Sequence, residues 1–171
     1  RLAVARSLAH TGAGGVPVLL KLLVDKDRAV RAAAATSLGS LGADQARAPL
    51  VKALQDTYVG VRLAAAAALG KLGGSESKPA LRTLAAGKDI ISALNAGRAL
   101  HGQGESQPLL DAIARALKQG TGPEKEAACN AASTVEDAAA ALLTAKALND
   151  PDPAVRMAAA RAARQGGKQA Q

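Results

Sequence analysis

The chain has 171 residues, a net charge of +8, and 49% apolar residues, yet no Trp, no Phe and a single Tyr. Ala supplies most of that apolar content, so Leu must provide most of the buried area, at roughly 1.5–3 kcal/mol per fully buried side chain. The lone Cys129 excludes an internal disulfide and a Cys-rich metal site, and no apolar run approaches the ~20 residues needed to span a bilayer.

Taken in order, Arg1 to Thr11 reads as a helix that has lost its start, and Gly12 to Gly15 breaks it. Val16 to Val24 is a short second helix with Pro17 in its first turn, where the missing N–H costs nothing. Asp27 to Leu41 is the next helix, with Asp27 as N-cap and an inward stripe of Ala33, Ala34, Ser37, Leu38 and Leu41. Ala43 to Gln55 follows, where Pro49 marks either a later start or a bend. Thr57 to Leu72 and Ser75 to Ala86, with Pro79, repeat this pair. Lys88 to His101 and Glu105 to Lys118 form a fourth pair, with Asn95 and Gly97 inside the first helix, where a Gly costs ~1 kcal/mol relative to Ala. Pro123 to Ser133 contains no Leu, so its core rests on Ala, Cys129 and Val135, and the loosest packing is expected there. Glu136 to Leu148 is its partner, and Asp152 to Arg164 is a last helix with Asp152 as N-cap and Pro153 at the first position. The GGKQAQ tail is expected to fray. All seven prolines fall at or near a helix start, and no alternating segment suggests a strand.

Two of these helices are copies. DKDRAVRAAAATSLGSLG from Asp25 to Gly42 returns as DTYVGVRLAAAAALGKLG from Asp56 to Gly73, 31 residues later, and DPDPAVRMAAARAA begins at Asp150. A fixed period between twenty and fifty residues is the mark of a stacked repeat. The motif resembles the HEAT repeat, in particular the short bacterial type of the phycobilisome lyases. The resemblance rests on an acidic turn, Val-Arg, and an Ala-rich helix closing on Leu-Gly. These are Asp25, Val30, Arg31, Leu38, Gly39 and Gly42, then Asp56, Val61, Arg62, Leu69, Gly70 and Gly73, with Asp150, Val155 and Arg156 near the end. It implies an all-α fold, a right-handed α-solenoid of five to six HEAT-like hairpins with about eleven helices. The expected boundaries are 1–25, 26–56, 57–87, 88–119, 120–150 and 151–166, one array over 1–171 with a frayed 167–171. The fourth unit departs, because Ser92 and Ala93 stand where Val-Arg is expected.

Two constellations stand out. Asp25 and Arg31, Asp56 and Arg62, and Asp150 and Arg156 are each six residues apart. A charge-assisted bond within the turn or to the neighbouring repeat would make them a structural ladder. The second helices carry a basic residue two positions before a Leu, at Lys21, Lys52, Arg82, Arg115 and Lys146. The resemblance puts second helices on the concave face, so these five would form a basic stripe for an acidic protein or a phosphate backbone. The plainer alternative is a solvated helix face.

Enzymatic readings lack residues. His10 and His101 are 91 positions apart, and neither is followed by the Glu that HEAT-like iron hydroxylases use. Gly12-x-Gly14 and Gly102-x-Gly104 follow helices and lack the Lys-Ser/Thr of a phosphate loop. Single-strand binders stack bases on aromatic rings, and Tyr58 alone offers one. The expected function is a non-catalytic scaffold, without cofactor or metal, that binds an acidic protein or peptide. A salt-sensitive nucleic-acid binder on the same stripe is the second reading, and a regulatory or chaperone-like subunit of a lyase-type enzyme the third. No membrane or small-molecule substrate is implied, the expected location is cytoplasmic, and the opening on Arg1 within a helix suggests a piece of a longer bacterial protein.

Overall fold

The computed structural model describes residues 1–135 and 137–168. Among these there are eleven α-helices and no strand. By internal contacts the chain divides into two compact units, Arg1–Leu84 and a second beginning at Ala85.

The first unit carries α1 (Leu2–Ser7), α2 (Val16–Leu22), α3 (Arg28–Ser40), α4 (Arg47–Ala53), α5 (Val59–Leu72) and nearly all of α6 (Lys78–Ala85). First helices pack on first helices, α1 on α3 and α3 on α5, while α2 lies against α3 and α4 against α5. The core is a ladder of branched side chains, Leu19, Val30, Leu38, Leu50, Val61, Leu69 and Leu81, all buried to 2% exposure or less. Ala34, Ala35, Ala65 and Ala66 fill the space between. Small residues let the backbones approach. A Cβ added at Gly39 would lie 2.6 Å from both Cα and Cβ of Ala68, which only a glycine avoids at that approach. Buried Ser37 donates its hydroxyl to the Ala5 carbonyl at 2.7 Å, tying α3 to α1.

The prolines shorten the second helices. A tight 3-10 turn over Asp44–Ala46 precedes α4, and another over Ser75–Ser77 precedes α6. The expected starts at Ala43 and Ser75 are therefore the starts of turns, and Pro49 and Pro79 fall in the first turns of the α-helices proper. That is where a residue without an N–H is tolerated. Gly12, Gly42 and Gly73 have φ of +68°, +65° and +63°, the left-handed region that lets the chain reverse after a first helix.

The second unit carries α7 (Ile90–His101), α8 (Gln107–Gln119), α9 (Gly122–Ala132), α10 (Ala138–Ala147) and α11 (Pro153–Lys168). The same neighbour scheme holds, α7 on α8 and α9, and α9 on α11. Gly97 makes α7 fit α8, since a Cβ there would lie 2.7 Å from the Leu109 Cα. The Leu-poor α9 is packed by its neighbours. Ala128, Ala131 and Ala132 join one buried cluster with Leu94, Leu109 and Ile113, which also takes in Val135. Cys129 joins a second cluster with Val155, Ala158 and Ala159.

Caps set the boundaries. Asp27, Asp137 and Asp152 accept from the N–H two residues on, at 2.7, 2.7 and 2.9 Å, and the Glu124 carboxylate reaches back to the Thr121 N–H at 2.7 Å. Asp89 accepts from both the N–H and the hydroxyl of Ser92, at 3.3 and 2.8 Å, so the serine standing in the Val position closes the turn itself. The α11 helix continues through residues 167 and 168, past the expected end at Arg164 and into the tail expected to fray, because an interior Gly weakens a helix without forbidding it. Glu136, the expected start of the tenth helix, and residues 169–171 of the expected frayed tail lie outside the described residues.

Candidate interaction surface

The turns that follow α2, α4 and α10 are held by an acid–base ladder. In the first unit Arg31, at the start of α3, sends Nε to Asp56 Oδ2 at 2.7 Å and a terminal nitrogen to Asp56 Oδ1 at 2.9 Å. Its other terminal nitrogen donates to the Asp25 carbonyl at 2.9 Å. One guanidinium thus binds the backbone of its own turn and the carboxylate of the next. Arg1 pairs with Asp25 at 2.7 Å in the same sense. Each carboxylate also accepts from the N–H two residues on, Asp25 from Asp27 at 2.9 Å and Asp56 from Tyr58 at 2.8 Å. Arg62 donates to the Asp56 carbonyl at 3.0 Å, repeating the bond that Arg31 makes to its own turn.

The second unit repeats the device with one change. Arg156 donates to the Asp150 carbonyl at 2.9 Å, while the cation on the Asp150 carboxylate is Lys125, at 2.8 Å. Lys125 was not singled out by the Asp-to-Arg spacing, because it is a Lys and no Asp precedes it by six residues. Its distance of 31 from Arg156 was the signal that could have found it. The six-residue pairs therefore meet through backbone carbonyls, and the carboxylates meet the cation of the preceding repeat. These bonds hold all three acids below the usual carboxylate range. The chief causes are the Asp27 N–H for Asp25, the Arg31 guanidinium for Asp56 and the Lys125 ammonium for Asp150.

The five basic positions of the second helices differ among themselves. Lys21 and Lys52 in the first unit and Lys146 in the second are exposed and have no ion-pair partner among the described residues. Arg82 is exposed as well. Arg115 is half-buried, and its terminal nitrogens donate to the Ala85 carbonyl at 2.7 Å and the Ala86 carbonyl at 3.2 Å, so it holds the backbone at those two residues.

Within the first unit an open cleft of about 600 Å³ runs between the ends of α2 and α4. Leu20, Leu23 and Val24 line one side, Pro49, Lys52 and Ala53 the other, and the Arg31–Asp56 pair closes it. Val24 is 81% exposed. A shallower hollow nearby is lined by Lys26, Arg28 and Tyr58, with the Arg28 guanidinium 4.4 Å from the ring centre, within cation–π range. Among the described residues no three His, Cys, Asp or Glu side chains converge to hold a metal ion, and no helix is long and apolar enough to cross a membrane. Burial raises the Cys129 thiol above its usual range, which fits a packing residue and not a nucleophile.

A family model described as HEAT repeats matches residues 1–58 and 16–100. The chain belongs to the HEAT-repeat family. Its fold class is accordingly the all-α solenoid of helical hairpins. Designed armadillo repeat proteins share this arrangement. A designed armadillo repeat protein in complex with the peptide (KR)4 is similar at a TM-score of 0.57 and 17% identity, over 96% of this chain and 90% of that one. A second designed armadillo repeat protein aligns at 0.53 and 20%, over 96% and 92%. An engineered protein from a structural genomics programme aligns at 0.50 and 26%, over 96% and 89%. The comparison with curated proteins finds no match.

Proposed function

We propose that this HEAT-repeat chain, as one array over 1–171, is a non-catalytic scaffold that binds an acidic protein or peptide on its second helices. The observation that carries this reading is the state of the cations. Asp25, Asp56 and Asp150 are already matched by Arg1, Arg31 and Lys125, whereas Lys21, Lys52 and Lys146 stand exposed and unmatched among the described residues. Excess charge left on one recurrent position favours anionic partners and fast, salt-dependent association. Arg82 and Arg115 complete the set at equivalent positions, with Arg115 contributing through the backbone it holds. A cytoplasmic setting agrees with a single, buried thiol.

The test is capture from lysate with and without nuclease, using the chain and a variant carrying Glu at Lys21, Lys52, Arg82, Arg115 and Lys146. Capture of an acidic protein that survives nuclease and is lost in the variant, with the variant melting as the parent does, supports the scaffold and its basic face together. Capture that vanishes with nuclease replaces this reading with the nucleic-acid one. A partner indifferent to the five changes leaves a scaffold whose binding face lies elsewhere.

A further inference from the structure

We propose that the cleft between α2 and α4 docks a partner segment in which a large apolar residue is flanked by carboxylates, an assignment that rests on the scaffold reading and narrows it. Three observations converge. The walls are apolar, Leu20, Leu23 and Val24 facing Pro49 and Ala53, and a volume of about 600 Å³ is within the ~300–1,000 Å³ of small-ligand and side-chain sites. Val24, 81% exposed at its edge, leaves a large aliphatic surface in water, which an apolar residue of a partner would cover.

Charge decides the flanks. Two carboxylates line the cleft, Asp25 and Asp56, and at first sight they invite a basic ligand. Both are taken. Asp56 has its two oxygens on Arg31 at 2.7 and 2.9 Å and a further bond from the Tyr58 N–H. Asp25 is on Arg1 at 2.7 Å and on the Asp27 N–H at 2.9 Å. The Arg31 guanidinium is likewise committed to Asp56 and to the Asp25 and Lys26 carbonyls. The remaining ionic group of the lining is Lys52, exposed and without an ion-pair partner among the described residues. Lys21 lies on α2, 31 residues before Lys52, in the same state. A basic segment would have to break a bidentate pair to find an acid, whereas an acidic one meets an ammonium with nothing to displace.

The test is a titration of the 15N-labelled full chain with the peptide acetyl-Gly-Ser-Glu-Leu-Glu-Leu-Glu-Ser-Gly-amide, followed by amide shifts. Shifts confined to residues 20–25 and 48–56 are expected, with affinity reduced at least fivefold in Lys52→Glu and binding lost in Ala48→Trp, which fills the cleft from an exposed position. Thermal melts of both variants should match the parent, which separates loss of the site from loss of the fold. The same peptide with Lys for Glu should give no shifts. Equal binding of the Lys peptide, or unchanged affinity in both variants, overturns the assignment. Shifts mapping to the Lys146 helix instead overturn the cleft but keep the acidic-partner reading. No shifts at millimolar peptide also overturn the cleft, and the five-site capture experiment then decides the scaffold reading separately. Competition by a DNA oligonucleotide at the same residues would assign the site to a phosphate backbone.

Discussion

Asp56 joins two repeats through one carboxylate, and its protonation should show in the stability of the chain. The Arg31 guanidinium holds its folded pKa below the usual aspartate range, opposed by partial burial. The folded carboxyl therefore releases its proton more readily than the unfolded one, whose value is about 4. The pair contributes fully above that value, and the contribution is lost as the pH falls through the lower folded value. Asp25 and Asp150 are shifted in the same direction and add to the same acid limb. Asp56→Asn should lower the free energy of unfolding at pH 7 by about 1.5–3 kcal/mol, the range for a hydrogen bond to a charged group. Urea denaturation at pH 7 and near pH 3 checks this: the gap between parent and variant should narrow at the lower pH. A gap that stays constant would mean that the cost of Asp56→Asn does not come from losing the carboxylate's charge. Lys125→Met should weaken the equivalent turn of the second unit by a smaller amount, because Asp150 keeps the Asp152 N–H at 3.0 Å.

Between helices, propensity and packing make opposite forecasts, and magnitudes choose. Ala is favoured over Gly inside a helix by ~1 kcal/mol, so Gly39→Ala and Gly97→Ala look stabilising from the sequence. Their added Cβ atoms would lie 2.6 Å from Ala68 and 2.7 Å from Leu109, against backbone that cannot swing aside. Overpacking of this kind costs about 1–3 kcal/mol, and the clash outweighs the propensity gain. Both variants should melt below the parent, and Ala68→Gly should rescue Gly39→Ala only in part, since the Ala68 Cα is as near as its Cβ. A rise in melting temperature for either would mean that the helices separate freely at that crossing. Asp27→Ala and Asp152→Ala, which remove N-caps, should each cost about 1 kcal/mol. The sequence made these caps legible, because an Asp before an apolar stripe has one common use. It did not explain Gly97, since the reason lies on another helix and no local pattern records an interhelical distance.

For the molecule as a whole, the 31-residue period made the repeats readable because the copies at Asp25, Asp56 and Asp150 close the same turn with the same few groups. Partner choice within that turn was harder to read. A spacing of six residues fits a side-chain pair as well as a bond to the backbone, and only coordinates tell Arg31-to-Asp56 from Arg31-to-Asp25. The same limit applies to the cations of the second helices, which look alike in sequence and divide in structure between the exposed Lys21, Lys52, Arg82 and Lys146 and the half-buried, committed Arg115. That division gives separate expectations for stability and for the proposed binding. Lys21→Glu, Lys52→Glu and Lys146→Glu are surface changes and should each alter stability by no more than ~0.5 kcal/mol, while together they should weaken an acidic partner and flatten the salt dependence of its association rate. Arg115→Glu removes two bonds to carbonyls and sets a carboxylate against them, so it should lower the melting temperature before it changes any affinity. Melting curves and association rates at two salt concentrations, taken on all four variants, decide between the two roles. If Arg115→Glu melts with the parent, its carbonyl bonds contribute little and it rejoins the lysines as a binding cation. If the lysine variants melt early, the face carrying them is structural, and the excess positive charge serves solubility instead of recognition.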